Sequence, residues 1–274
     1  MMILAGCGNR QTEANERAAC EGKDATPKES INACTKIISS KDPDTETLSY
    51  AYLYRGISYD HLGRAGEAKA DFEQSLRMLP NNALAATNLG ALHGKEGRFT
   101  VAMQYLDRAI QLDESNPFAW RNRAIALERL GNFPKALEDI NRAVALDGAD
   151  HLAVAERCWL NAVTNQKLDQ ALSDCNLALA TQPESSNILN SRGLVYFRRK
   201  QFPESILDYD AAIRGDPSEP SSFLVRGYAK RAMGLDEEGA ADIDKAAQLS
   251  SEVSSFYATI GVPDEVQSVP PGSR

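Results

Sequence analysis

Positive charge is in deficit in this chain. Its 30 Lys and Arg face 38 Asp and Glu, a formal net charge of −8. A basic stripe that could track a phosphate backbone is therefore missing, which argues against a nucleic-acid partner. The same balance argues against attraction of the folded domain to an anionic membrane surface. No apolar run approaches the roughly 18 residues that a membrane-spanning helix needs. Histidine is scarce: His61, His93 and His151 are far apart, and there is no Cys-x-x-Cys, so no zinc site is expected. Gly-x-Ser-x-Gly, the P-loop, the dinucleotide fingerprint and His-Glu-x-x-His are all absent. No catalytic residue, no metal and no cofactor is expected, and an enzyme with a diffuse site is the weakest of the readings.

What is present is a core and a repeat. Hydrophobic residues make up 43% and charged residues 25% of 274, ordinary for a chain that buries apolar surface. Self-similarity decides the architecture. Gly56 is followed by Ala68, Phe72 and Ser75; Gly90, 34 residues on, by Ala102, Leu106 and Ala109; Ala124, another 34 on, by Ala136, Ile140 and Ala143. Cys158 then precedes Ala171, Cys175 and Ala178, with one extra residue between its two halves. Gly193 precedes Ser205, Tyr209 and Ala212, and Gly227 precedes Gly239, Ile243 and Ala246. Each unit reads as two antiparallel helices, in which small residues permit close approach and one bulky residue fills between. Gly63, Gly97, Gly131 and Gly234 fall where the turn between helices needs a permissive backbone. Pro80, Pro183 and Pro217 end second helices.

This pattern resembles the tetratricopeptide repeat over about residues 49–251. The resemblance implies an all-α, right-handed superhelical solenoid of about six helix-turn-helix repeats (49–82, 83–116, 117–150, 151–185, 186–219 and 220–251). An N-terminal helical hairpin at 9–48 caps one end. Val253, Phe256, Tyr257 and Ile260 recur at helical spacing, which predicts a capping helix over 252–261. The polar tail from 262 to 274 is expected to be disordered.

A covariation within the chain adds an ion pair. Arg55, Arg123, Arg157, Arg192 and Arg226 precede the small first-helix residue in five units, and those units carry Asp71, Asp139, Asp174, Asp208 and Asp242 before the bulky second-helix residue. The second unit has Leu89 and Tyr105 instead. An Arg–Asp pair is expected inside each of the five, fixing register more than adding stability.

The repeat implies a polypeptide partner held in a concave groove lined by first helices. Repeat geometry puts Tyr50, Tyr54, Asn88, Phe118, Arg121, Asn122, Ile125, Glu156, Trp159, Asn190, Leu194 and Tyr228 along it. Asn88 and Asn122 share one position of adjacent units, where asparagine resembles the ladder by which such repeats hold an extended backbone. Aromatic residues and arginine are types enriched at binding hot spots. Leu53 and Ile57 stand where chaperone-docking repeats have lysine and asparagine, so a chaperone tail is not the expected partner.

Four cysteines fall into two local pairs. Cys20 and Cys34 flank the N-terminal hairpin, and Cys158 and Cys175 hold the small and bulky sites of the fourth unit, which face each other. Two disulfides, or four buried free thiols, satisfy this placement. Upstream, Leu4-Ala5-Gly6-Cys7 resembles the lipobox of bacterial lipoproteins, which implies lipidation at Cys7 and, with Gly8 following, the outer membrane. Residues 1–8 are then a truncated leader whose start lies further upstream. Together these features resemble exported repeat lipoproteins of Gram-negative bacteria, including those that help assemble pilus secretins or recruit peptidoglycan endopeptidases. The expectation is a periplasmic scaffold or adaptor tethered only through lipid at Cys7. The alternative is a soluble cytosolic adaptor with reduced thiols.

Overall fold

The computed structural model describes residues 14–262, and the described residues form fifteen helices and no strand. They fall into two compact units, divided between Leu130 and Gly131. The first holds α1 (residues 14–20), α2 (Pro27–Ile38), α3 (Thr45–His61), α4 (Ala65–Met78), α5 (Ala83–Lys95), α6 (Phe99–Leu112) and α7 (Pro117–Arg129). The second holds α8 (Phe133–Leu146), α9 (His151–Val163), α10 (Leu168–Thr181), α11 (Ser186–Arg198), α12 (Phe202–Gly215), α13 (Pro220–Ala232), α14 (Asp236–Leu249) and α15 (Val253–Thr259). Cys7 and the tail beyond Val262 lie outside the described residues.

The helix ends follow from local chemistry. Asp44 accepts from the Thr47 amide and starts α3 at Thr45, ahead of the expected 49. Asn82, Asn116 and Asp150 cap the first helices of successive repeats by accepting amide hydrogens of α5, α7 and α9, satisfying donors that the helix itself leaves open. Gly63, Gly97, Gly131 and Gly234 all have positive φ, the left-handed turn expected of them. The fourth and fifth repeats lack this glycine and use Asn165, Lys167 and Lys200 at positive φ instead. In the fourth, the extra residue spreads the turn over Asn165–Lys167.

In the first, second and fifth repeats the small first-helix residue meets the bulky second-helix one. A methyl group at Gly56 would lie 2.7 Å from the Phe72 ring, at Gly90 2.5 Å from Leu106, and at Gly193 2.9 Å from Tyr209. These glycines exist because the opposing side chain fills the space a Cβ would take. In the fourth repeat the same two sites are joined covalently: Cys158 and Cys175 form a disulfide with Cα atoms 5.5 Å apart. Cys20 and Cys34 form the other bridge, pinning α1 to α2.

Candidate functional site

Four of the expected Arg–Asp pairs have both partners within one unit, and all four form. Nε and Nη2 of Arg55, Arg157, Arg192 and Arg226 donate to the two carboxylate oxygens of Asp71, Asp174, Asp208 and Asp242 at 2.6–2.8 Å. The aspartate holds the Arg55 and Arg192 guanidinium pKa above its ordinary value through these hydrogen bonds. Arg123 and Asp139 share the third repeat, but Arg123 lies in the compact unit that ends at Leu130 and Asp139 in the one that begins at Gly131. Within its own unit, Arg123 Nη1 donates to Asp107 at 2.8 Å.

The first unit brings some of the expected groove residues together. Tyr50 and Tyr54, one turn apart on α3, stack with ring centroids 6.2 Å apart. They line a cleft of about 750 Å³ with Arg17, Glu21, Asp44 and Leu84. Phe118 is 47% exposed, and the Arg121 guanidinium sits 5.2 Å above its ring, a cation–π contact. Asn122 and Ile125 are half-buried on the same helix. Asn88 turns its amide back onto its own helix, donating to the Leu84 carbonyl at 2.8 Å. Leu53 is fully buried, so the position that would clamp a carboxylate in chaperone-docking repeats is part of the core.

The second unit departs from the expectation. Asn190 is only 7% exposed, and its Nδ2 donates to Ser221 Oγ at 2.9 Å and Ser222 Oγ at 2.7 Å. Leu194 is fully buried. Trp159 and Tyr228 are half-buried against the core, with Glu156 half-buried one turn before Trp159; burial raises the Tyr228 phenol pKa. The last described helix packs close by. α15 packs against α13 and α14, and the segment just after it is reached by Arg198 of α11. Tyr257 is 2% exposed and its phenol lies beside Ser221, the hydroxyl that Asn190 reaches. The Phe256 ring lies 6.2 Å from Phe133 on α8, and Val262 is fully buried. Arg198 Nη2 donates to Ile260 O at 2.7 Å, while its guanidinium also reaches Ala162 O and Val163 O at 3.2 and 3.3 Å.

Two family models, both described as tetratricopeptide repeat, match residues 53–117 and 160–220, and residues 89–158. The chain belongs to the tetratricopeptide-repeat (TPR) family. Solved TPR structures share the fold. YrrB, described as a TPR protein with an unusual peptide-binding site, is 20% identical with a TM-score of 0.55, over 70% of this chain and 96% of its own. PilF of Pseudomonas aeruginosa is 17% identical with a TM-score of 0.59, over 78% and 99%. A TPR protein of Parabacteroides merdae is 15% identical with a TM-score of 0.55, over 92% and 98%. At these identities the likeness is one of fold alone.

TPR proteins serve generally as protein-interaction scaffolds. Among the described residues of this one, no three His, Cys, Asp or Glu come together as metal ligands, and no helix is long and apolar enough to cross a membrane. Sequence reasoning missed Arg198, whose three carbonyl acceptors belong to the ends of α9 and to the segment after α15. Its only signal was a basic residue in the last turn of a first helix, where it complements a helix C-terminus.

Proposed function

We propose that this TPR protein is an adaptor of the bacterial envelope that holds a polypeptide partner on the first helices of its first unit, tethered to the outer membrane by lipid on Cys7. The observation that carries the binding reading is the surface made by α3, α5 and α7. It offers the stacked Tyr50–Tyr54 pair beside an open cleft and the exposed Phe118 under Arg121. These are rigid aromatic anchors next to polar side chains, the combination that dominates interface energetics. Asn122 supplies an amide for a partner's main chain, and Asn88, whose Nδ2 donates to the Leu84 carbonyl, offers its side-chain oxygen at the same repeat position. YrrB, which has the same fold, is described as having a peptide-binding site.

The envelope reading is supported by the two disulfides, since such bridges persist in oxidising compartments, and by the Leu-Ala-Gly-Cys sequence ending at Cys7. The test has two arms. Intact mass of the protein made from its upstream reading frame in a Gram-negative host is expected to show an acylated Cys7 and the loss of four thiol hydrogens. An unmodified Met1 with five free thiols overturns the envelope reading. A photo-crosslinking residue at Asn88 or Asn122 is expected to trap one polypeptide that a probe on the exposed second-helix residue Arg77 does not. Equal trapping from both faces overturns the groove reading.

A further inference from the structure

In the second unit the chain's own segment 253–262 packs on first helix α13 and second helix α14 and is tied to first helix α11 through Arg198. Between Val253 and Val262 there is no charged residue. Val253, Tyr257 and Val262 are buried and Phe256 and Ile260 half-buried in the core of this unit, while Ser255, Ala258 and Thr259 face outward. The seat has matching chemistry: the Phe133 ring for Phe256, the Ser221 hydroxyl beside the Tyr257 phenol, held in turn by Asn190, and a guanidinium at Arg198 for a helix's terminal carbonyl.

α15 has little helicity of its own. α15 has seven residues and no side-chain cap at its start, and an isolated helix shorter than about 12–15 residues is marginal in water. Its helicity therefore depends on docking. It is joined to α14 by the short link Ser250–Glu252, so it docks at high effective concentration without needing high affinity. Partial occupancy by a tethered competitor weakens the apparent affinity of any outside ligand by the fraction of chains left open.

We propose that α15 is a built-in competitor for the first-helix face of the second unit, and that it is displaced by a partner's short, uncharged amphipathic helix carrying adjacent aromatic residues, such as the chain's own Phe256-Tyr257. The proposal rests on the reading of first helices as a binding surface, but it concerns α11 and α13. The crosslinking test at Asn88 and Asn122 concerns the other unit, so either can fail alone.

The probe is a fluorescently labelled peptide with the sequence of residues 251–263, titrated by anisotropy into the full chain. Three chains are compared: wild type, Phe256→Ala/Tyr257→Ala, and one carrying a flexible Gly/Ser insertion of about 20 residues after Ser251, which lowers the effective concentration and leaves every core residue in place. The expected result is weak binding to the wild type and about tenfold tighter binding to both altered chains. Hydrogen exchange in the wild type is expected to show the amides of 253–262 opening while α11 and α13 stay protected. Equal affinity for all three chains overturns the proposal. So does absence of binding to the insertion chain when its helicity and melting match wild type, and so does exchange of α15 only together with α11 and α13.

Discussion

Arg192 and Asp208 meet edge to edge through two parallel hydrogen bonds of 2.7 Å, Nε to Oδ2 and Nη2 to Oδ1. The aspartate is buried and the arginine side chain is 22% exposed. Such a pair offsets its own desolvation only while both members are present, and breaking a buried pair costs about 3–5 kcal/mol. The chain holds its own control, since the second repeat places Leu89 and Tyr105 at these positions, with Leu89 fully buried. Asp208→Ala is therefore expected to destabilise by about 3 kcal/mol, and Arg192→Leu/Asp208→Tyr by clearly less. Chemical denaturation of both variants and of Arg192→Leu alone closes the cycle. A double variant as damaged as the single one would show that the pair contributes net stability.

These pairs were legible because their spacing is rigid. Arg and Asp lie 16 residues apart in three repeats and 17 in the fourth, the added residue being the one in its longer turn. The cysteine pairing was legible for the same reason, since a bridge between a small and a bulky repeat position needs no information from elsewhere in the chain. The groove was less legible. Asn190 holds a first-helix position, but the hydroxyls that capture it are Ser221 and Ser222, a full repeat away. The apolar spacing of Val253, Phe256, Tyr257 and Ile260 announces a helix, whereas the face that receives it is assembled from α13 and α14 with Arg198 of α11 and Phe133 of α8. No local pattern carries that information.

The Cys158–Cys175 bridge makes a separable contribution. It closes a loop with a sequence separation of 17, worth about 3 kcal/mol in the chain-entropy account. The second repeat shows that a small residue against leucine, Gly90 on Leu106, fills the same two sites without a bond. A Cys158→Ala/Cys175→Leu chain is expected to fold, to be less stable than oxidised wild type by about 3 kcal/mol, and to respond to reductant only through Cys20–Cys34. Denaturation curves with and without reductant on both chains measure this.

His93 is expected to give the first unit a pH dependence. The ring is buried and stacks on Tyr105 with centroids 5.5 Å apart. Burial, with Lys69 and Arg98 nearby, holds its pKa below the ordinary 6.5, against the opposing pull of Glu96. Its folded value lies below its unfolded one, so as the pH falls the unfolded chain takes up a proton first. Stability is thus full above the unfolded pKa and is lost as the pH drops from about 7 toward 5. Tyr59 and Tyr196 hold the matching position in other repeats. His93→Tyr is expected to flatten the slope of unfolding free energy over this window, measured by denaturation at a series of pH values. An unchanged slope would assign it to other groups.

Asn161 occupies that same repeat position in α9, and there its amide is isolated. The residue is fully buried, and neither Nδ2 nor Oδ1 makes a hydrogen bond. A buried polar group without a partner costs about 1–3 kcal/mol in desolvation, while leucine has nearly the same shape and gains on burial. Leu127, at this position of the third repeat, shows that the repeat accepts it. Asn161→Leu is therefore expected to raise stability by about 1–2 kcal/mol, read as a higher melting temperature with unchanged helicity. Loss of stability would mean that leucine does not fit this site or that the amide has a partner in the folded chain.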